Sequence, residues 1–157
     1  MKRKLIFFQL FIILISLAAF VFLLWEPHIE GRNAHSTIYE IYFKDPFLVY
    51  VYLASVPFFI ALYQAIKVVG YSRQNNFYSK ASLKALRTIK YCALSIIGFV
   101  IIGEIIILSV ESDDHAGGVF MGFLVILISV VMAAIAAKFE INLIRRMDII
   151  SVKDFTT

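Results

Sequence analysis

Long apolar runs separated by short polar stretches set the pattern of this chain. The runs are Leu5–Trp25, Phe47–Gly70, Ile89–Val110 and Gly117–Ala137. An α-helix rises about 1.5 Å per residue and bilayer hydrocarbon is about 30 Å thick, so roughly twenty apolar residues cross it. Each run reaches that length, which predicts an all-α fold, an integral membrane four-helix bundle. The pattern changes between spans two and three. Gly70-Tyr71-Ser72-Arg73-Gln74-Asn75-Asn76 has the residues of a turn, and Ser79 is placed to cap a following helix. At 100° per residue, Lys80, Lys84 and Arg87 fall within roughly 60° of one another. Residues 79–90 therefore read as an amphipathic helix running straight into span three. Ala81, Ala85, Thr88 and Cys92 form a small-residue stripe beside its basic face.

Three details qualify the spans. Trp25 closes the first, and Phe47, Tyr50 and Tyr52 open the second, where amphipathic rings suit the headgroup boundary. Pro57 lies within span two and predicts a kink near Ser55–Pro57, because proline removes a backbone donor and crowds the preceding turn. In the connection between spans one and two, Thr37 to Glu40 has capping-box spacing. A short interfacial helix and an irregular loop are equally good readings of it.

Composition narrows the class further. Of 157 residues 61% are hydrophobic and 17% charged, against about half and a quarter in an ordinary soluble domain. The spans and their connections account for the chain as one membrane domain, 1–157, with no segment left for a soluble catalytic domain. The lone cysteine, Cys92, has no partner for an intramolecular disulfide. The basic start of span one fits a signal peptide, but the apolar stretch is too long for a signal core. No A-x-A-like site precedes Glu26, so retention as a span is expected.

The net charge of +4 matters less than its placement. All fifteen Lys and Arg residues except Arg32 and Lys44 lie at the chain start, in the stretch from Lys67 to Lys90 around the connection between spans two and three, or beyond span four. The other two connections hold Glu26, Glu30, Glu40, Asp45, Glu111, Asp113 and Asp114. Cationic residues favour cytoplasmic loops. Both termini are therefore expected in the cytoplasm, and the basicity calls for no nucleic-acid binding. Lys80, Lys84 and Arg87 form a candidate face for anionic lipid headgroups or for an acidic cytosolic partner.

Glu104 is the one ionisable group well inside a span. A bare carboxylate in hydrocarbon costs at least a few kcal/mol, which makes intramembrane acids candidate sites. Tyr52 and Ser55 of span two and Ser16 of span one lie at matching depth, and together with Glu104 they form a candidate polar site. Gly118 and Gly122 have GxxxG spacing, and with Ser129 and Ala133 they make a candidate helix-packing stripe, since small residues allow close approach of neighbouring helices. His28 and His35, and His115 beside the outer carboxylates, match no zinc pattern. No nucleophile motif or glycine-rich phosphate loop is present. No enzyme activity, catalytic residue, cofactor or metal is expected.

The stretch Pro57-Phe58-Phe59-Ile60-Ala61-Leu62-Tyr63-Gln64-Ala65 leads through Gly70-Tyr71 into residues 77–93, from Phe77-Tyr78-Ser79-Lys80-Ala81-Ser82 to Lys90-Tyr91-Cys92-Ala93. These segments, with the length and span count, resemble the bacterial four-helix membrane family called domain of unknown function 2975. The resemblance implies a protein of the bacterial inner membrane. It also suggests a partner, since members look to be often encoded beside a small helix-turn-helix regulator. It supplies no catalytic residues, and Glu104 is not part of its pattern. The leading expectation is a non-enzymatic regulator or sensor that engages a cytosolic partner. A small transporter or immunity-type protein with a polar site at Glu104 is one alternative. A structural subunit packing against another membrane protein is another.

Overall fold

The computed structural model describes residues 2–29, 37, 46–109 and 115–154. The outer-loop features at residues 38–40 and 111–114, and the side chains of His28, His35 and His115, lie outside what is described. Among the described residues four helices follow one another: α1 (Lys2–Ile29), α2 (Pro46–Arg73), α3 (Lys80–Ser109) and α4 (His115–Asp154). All four are long and apolar enough to cross a membrane. Each helix extends beyond its apolar run at one end or both, and α1 continues past Pro27 to Ile29. The amphipathic segment and span three are one unbroken helix, α3.

The turn between α2 and α3 has a specific cause. Asn75 has φ 58°, a left-handed conformation that asparagine tolerates better than most residues. Around it the amide of Asn76 donates to Tyr71 O at 2.9 Å, and that of Asn75 donates to Ser72 O at 3.3 Å. This is a Schellman cap, which satisfies carbonyls that the end of α2 would leave bare. Ser79 then starts α3: its Oγ accepts from the Ser82 amide at 3.3 Å, the geometry of an N-cap. Ser82 is fully buried, and its hydroxyl donates back to Asn76 O at 3.4 Å. The turn is thereby tied to the first turn of α3.

Pro57 does not end α2, which stays helical from Pro46 to Arg73. The ring removes the donor that would reach Leu53 O. Nearby, the Ser55 hydroxyl donates to Tyr52 O at 2.7 Å.

Substantial contact among the described residues runs between sequence neighbours: α1 on α2, α2 on α3, and α3 on α4, the last being the most extensive. Buried residues concentrate accordingly. α3 buries Ala85, Leu86, Ile89, Cys92, Ala93 and Gly103, whereas among the described side chains of α1 Ile12 is the buried hydrophobic. Much of the apolar surface of α1 and α4 remains exposed, including Phe7, Phe22, Phe123 and Ile128. On a span such surface faces lipid tails, which are as apolar as the side chains themselves.

Candidate functional sites between helices three and four

One antiparallel register runs the length of the α3–α4 interface. Near one end Gly118 faces Ile107, then Gly122 faces Glu104, and near the other end Glu140 faces Arg87 and Lys90. On α4 the buried or half-buried positions Gly122, Ser129, Ala136 and Leu143 recur one heptad apart, with Ala133 and Glu140 between them. That period keeps a single stripe turned to one neighbour. The stripe of Gly118, Gly122, Ser129 and Ala133 thus lies along the seam with α3, within one chain.

The stripe also makes room for Glu104. A Cβ placed on Gly122 would stand 1.6 Å from Glu104 Oε1 and 3.2 Å from Val100 Cγ1. The carboxylate therefore occupies the space that any other residue at 122 would fill. Glu104 Oε2 is buried and accepts no hydrogen bond among the described residues.

The side chains grouped with Glu104 from sequence do not join it. The Tyr52 hydroxyl donates to Leu23 O of α1 at 3.4 Å, and Ser55 bonds within its own helix. Ser16 lines a cleft between α1 and α2 together with Phe20 and Phe59, whose rings meet edge to face at 5.9 Å. The expected grouping placed these residues by depth alone. The structure separates them by side, because α2 stands between α1 and α3. The α2 residue that reaches this part of α3 is Tyr50. Its hydroxyl donates to Phe99 O at 2.6 Å, and its ring lies over Gly103.

The second constellation was not singled out from sequence. Glu140 is 6% exposed. Its Oε1 accepts from Arg87 Nε at 2.9 Å and its Oε2 from Lys90 Nζ at 2.5 Å. Arg87 and Lys90 stand on one side of α3 at helical spacing, so a single carboxylate of α4 meets both. Lys90 also lies over the Tyr91 ring, 5.1 Å being the matching distance for Lys67 over Tyr63 and 5.3 Å for Lys90 itself. Arg87, grouped from sequence with Lys80 and Lys84 as a candidate basic face, is half exposed and also donates through Nε to Glu140. Lys80 and Lys84 are exposed and hold no ion pair among the described residues. A signal was present in the sequence. Glu140 is the first acid after span four, on the side of the spans where the connection between spans two and three has cations and no acids.

Glu104 and the Glu140 cluster stand about 25 Å apart along α3 at 1.5 Å per residue. If one level marks one membrane boundary, the other lies near the opposite boundary, because hydrocarbon is about 30 Å thick. Among the described residues no group of three or more His, Cys, Asp or Glu could hold a metal ion.

Comparison with known proteins agrees with this architecture. Residues 31–140 match the family described as protein of unknown function, DUF2975. The chain is 35% identical over 159 residues to the uncharacterized membrane protein YoaS of Bacillus subtilis strain 168. That match covers 99% of this chain and 98% of the relative. No solved structure matches it significantly.

Proposed function

The chain belongs to the DUF2975 family of proteins of unknown function, and we propose that it is a non-enzymatic regulator or sensor of the bacterial inner membrane. In this reading both termini and the α2–α3 turn face the cytoplasm, as the bias of Lys and Arg toward that end of the spans favours. The exposed basic surface there engages an acidic face of a cytosolic partner. A small helix-turn-helix regulator is the kind of partner the family suggests. No direct contact with nucleic acid is part of the reading.

The observation that supports it is the division of labour along α3. Arg87 and Lys90 are spent on Glu140 and fasten α3 to α4. Lys80 and Lys84, one to two turns nearer the helix start, are exposed and uncommitted among the described residues. Such charges add little to stability and remain available for recognition and steering of an acidic surface. The orphan Oε2 of Glu104 favours the second reading, a transporter or immunity-type protein with an intramembrane polar site. Against it, Tyr52, Ser55 and Ser16 do not converge there.

Cross-linking and co-purification from native membranes test the leading reading, comparing wild type with Lys80→Ala/Lys84→Ala. Arg87 is left alone so that helix pairing is undisturbed. The expected result is a cytosolic protein captured by wild type and lost from the variant at equal membrane abundance. An unchanged partner list would remove the role of the basic face.

A further inference from the structure

The end of the molecule that carries the turn has a groove of about 540 Å³ between Phe77–Tyr78 and the last turns of α4. Its α4 wall presents Phe139, Asn142, Arg146 and Ile149, which follow helical spacing, with Arg145 beside them. Neither arginine has an ion-pair partner among the described residues. The apolar wall is exposed as well: Tyr78 is 53%, Phe139 50% and Ile149 57% accessible. Two uncommitted guanidinium groups thus sit directly beside aromatic and aliphatic surface that water solvates poorly.

We infer that this groove is a binding site for one anionic phospholipid. The phosphate of its headgroup would be held by Arg145 and Arg146, with Asn142 able to donate to it. The glycerol and upper acyl region would cover Phe139, on the membrane side of the arginines, with the headgroup lying against Tyr78 and Ile149. Arginine suits this role because its planar fork of donors matches phosphate oxygens. The surroundings favour a lipid over a soluble anion. The helix carrying the arginines stays apolar on its flanks, with Ile141, Ile144, Ile150 and Val152 exposed, so this stretch suits a membrane–water boundary better than bulk water. A soluble anion would satisfy the arginines and leave the apolar wall wet, whereas a phospholipid matches both. Lys80 and Lys84 do not line the groove, so the inference does not depend on the regulatory reading.

The test uses the full chain, purified in a neutral detergent and freed of lipid. Its thermal stability is followed during titration with phosphatidylglycerol, with phosphatidylcholine and with inorganic phosphate. Phosphatidylglycerol is expected to stabilise it saturably and the other two are not. Arg145→Gln/Arg146→Gln should weaken the apparent affinity roughly tenfold or more, at about tenfold per 1.4 kcal/mol and about that much for two charges at a membrane surface. Lys80→Gln/Lys84→Gln should leave it within about twofold, which separates a site from general attraction of charge. Phe139→Ser tests the apolar wall independently and should weaken phosphatidylglycerol without creating a response to phosphate. Native mass spectrometry of each protein reports whether one lipid is bound, including any variant with altered melting. Equal stabilisation by phosphatidylcholine or by phosphate, or undiminished binding by the double arginine variant, would overturn the inference.

Discussion

At the level of single residues, Gly122 and Glu104 explain each other. A glycine within a span is common where helices approach closely, but here the space it leaves is filled by a carboxylate from the neighbouring helix. Gly122→Ala must push the far end of Glu104 out of that space, toward lipid or into Val100. We expect a loss of about 1–3 kcal/mol, the usual range for overpacking. In a Glu104→Ala background the same substitution should cost much less, because the obstacle is gone. Unfolding of the four proteins in detergent gives this double-mutant cycle; additive effects would mean the two residues do not share the space. Sequence reading found both residues and missed their connection. It grouped Glu104 with polar side chains at equal depth, and depth says nothing about which side of a helix faces which neighbour. The two positions also belonged to separate arguments, one about charge and one about packing.

The elements carry a second lesson. α3 and α4 are the most closely joined pair, and their join is polar at one end. Glu140 is almost wholly covered, so removing it leaves Arg87 and Lys90 facing each other across a partly covered gap. Glu140→Gln keeps the shape and removes the charge. Loss of one partner of a fully buried pair costs about 3–5 kcal/mol, but Arg87 is half exposed and surface pairs are worth at most about 1. A loss of about 1–2 kcal/mol is therefore expected, larger than for Arg87→Gln, which leaves Lys90 on the carboxylate. Chemical unfolding of both variants checks the order; Arg87→Gln as the more damaging change would contradict it. The helices themselves were legible because a twenty-residue apolar run has few other structural solutions. Their ends were not, since polar residues beyond an apolar run can continue a helix without any hydrophobic signal. Hence α4 runs to Asp154 and α3 absorbs the amphipathic segment. The cap at Asn75 and Ser79 was legible in kind, from turn residues followed by a hydroxyl. The Glu140 pairing was not, because it depends on the register between two helices.

Across the whole molecule, the helices pack in chain order, and α1 is held chiefly through α2. The four spans and the charge split between the ends followed from sequence, because hydrophobicity and charge act on each segment alone. Neighbour relations did not, because they depend on every segment at once. The two polar levels on the α3–α4 pair acquire a joint meaning at this scale. They are set about 25 Å apart on two rods locked in register, so their separation cannot relax by rotamer changes. Hydrophobic mismatch costs fractions of a kcal/mol per Å. A thick bilayer draws Glu104 deeper into hydrocarbon while the Glu140 cluster stays anchored at its boundary, and a thin one brings Glu104 into reach of water. In lipids of graded acyl length, wild type should be most stable in thinner bilayers than Glu104→Leu, and coincident optima would remove this effect. The fixed spacing would thus tie the preferred bilayer thickness to the depth of Glu104.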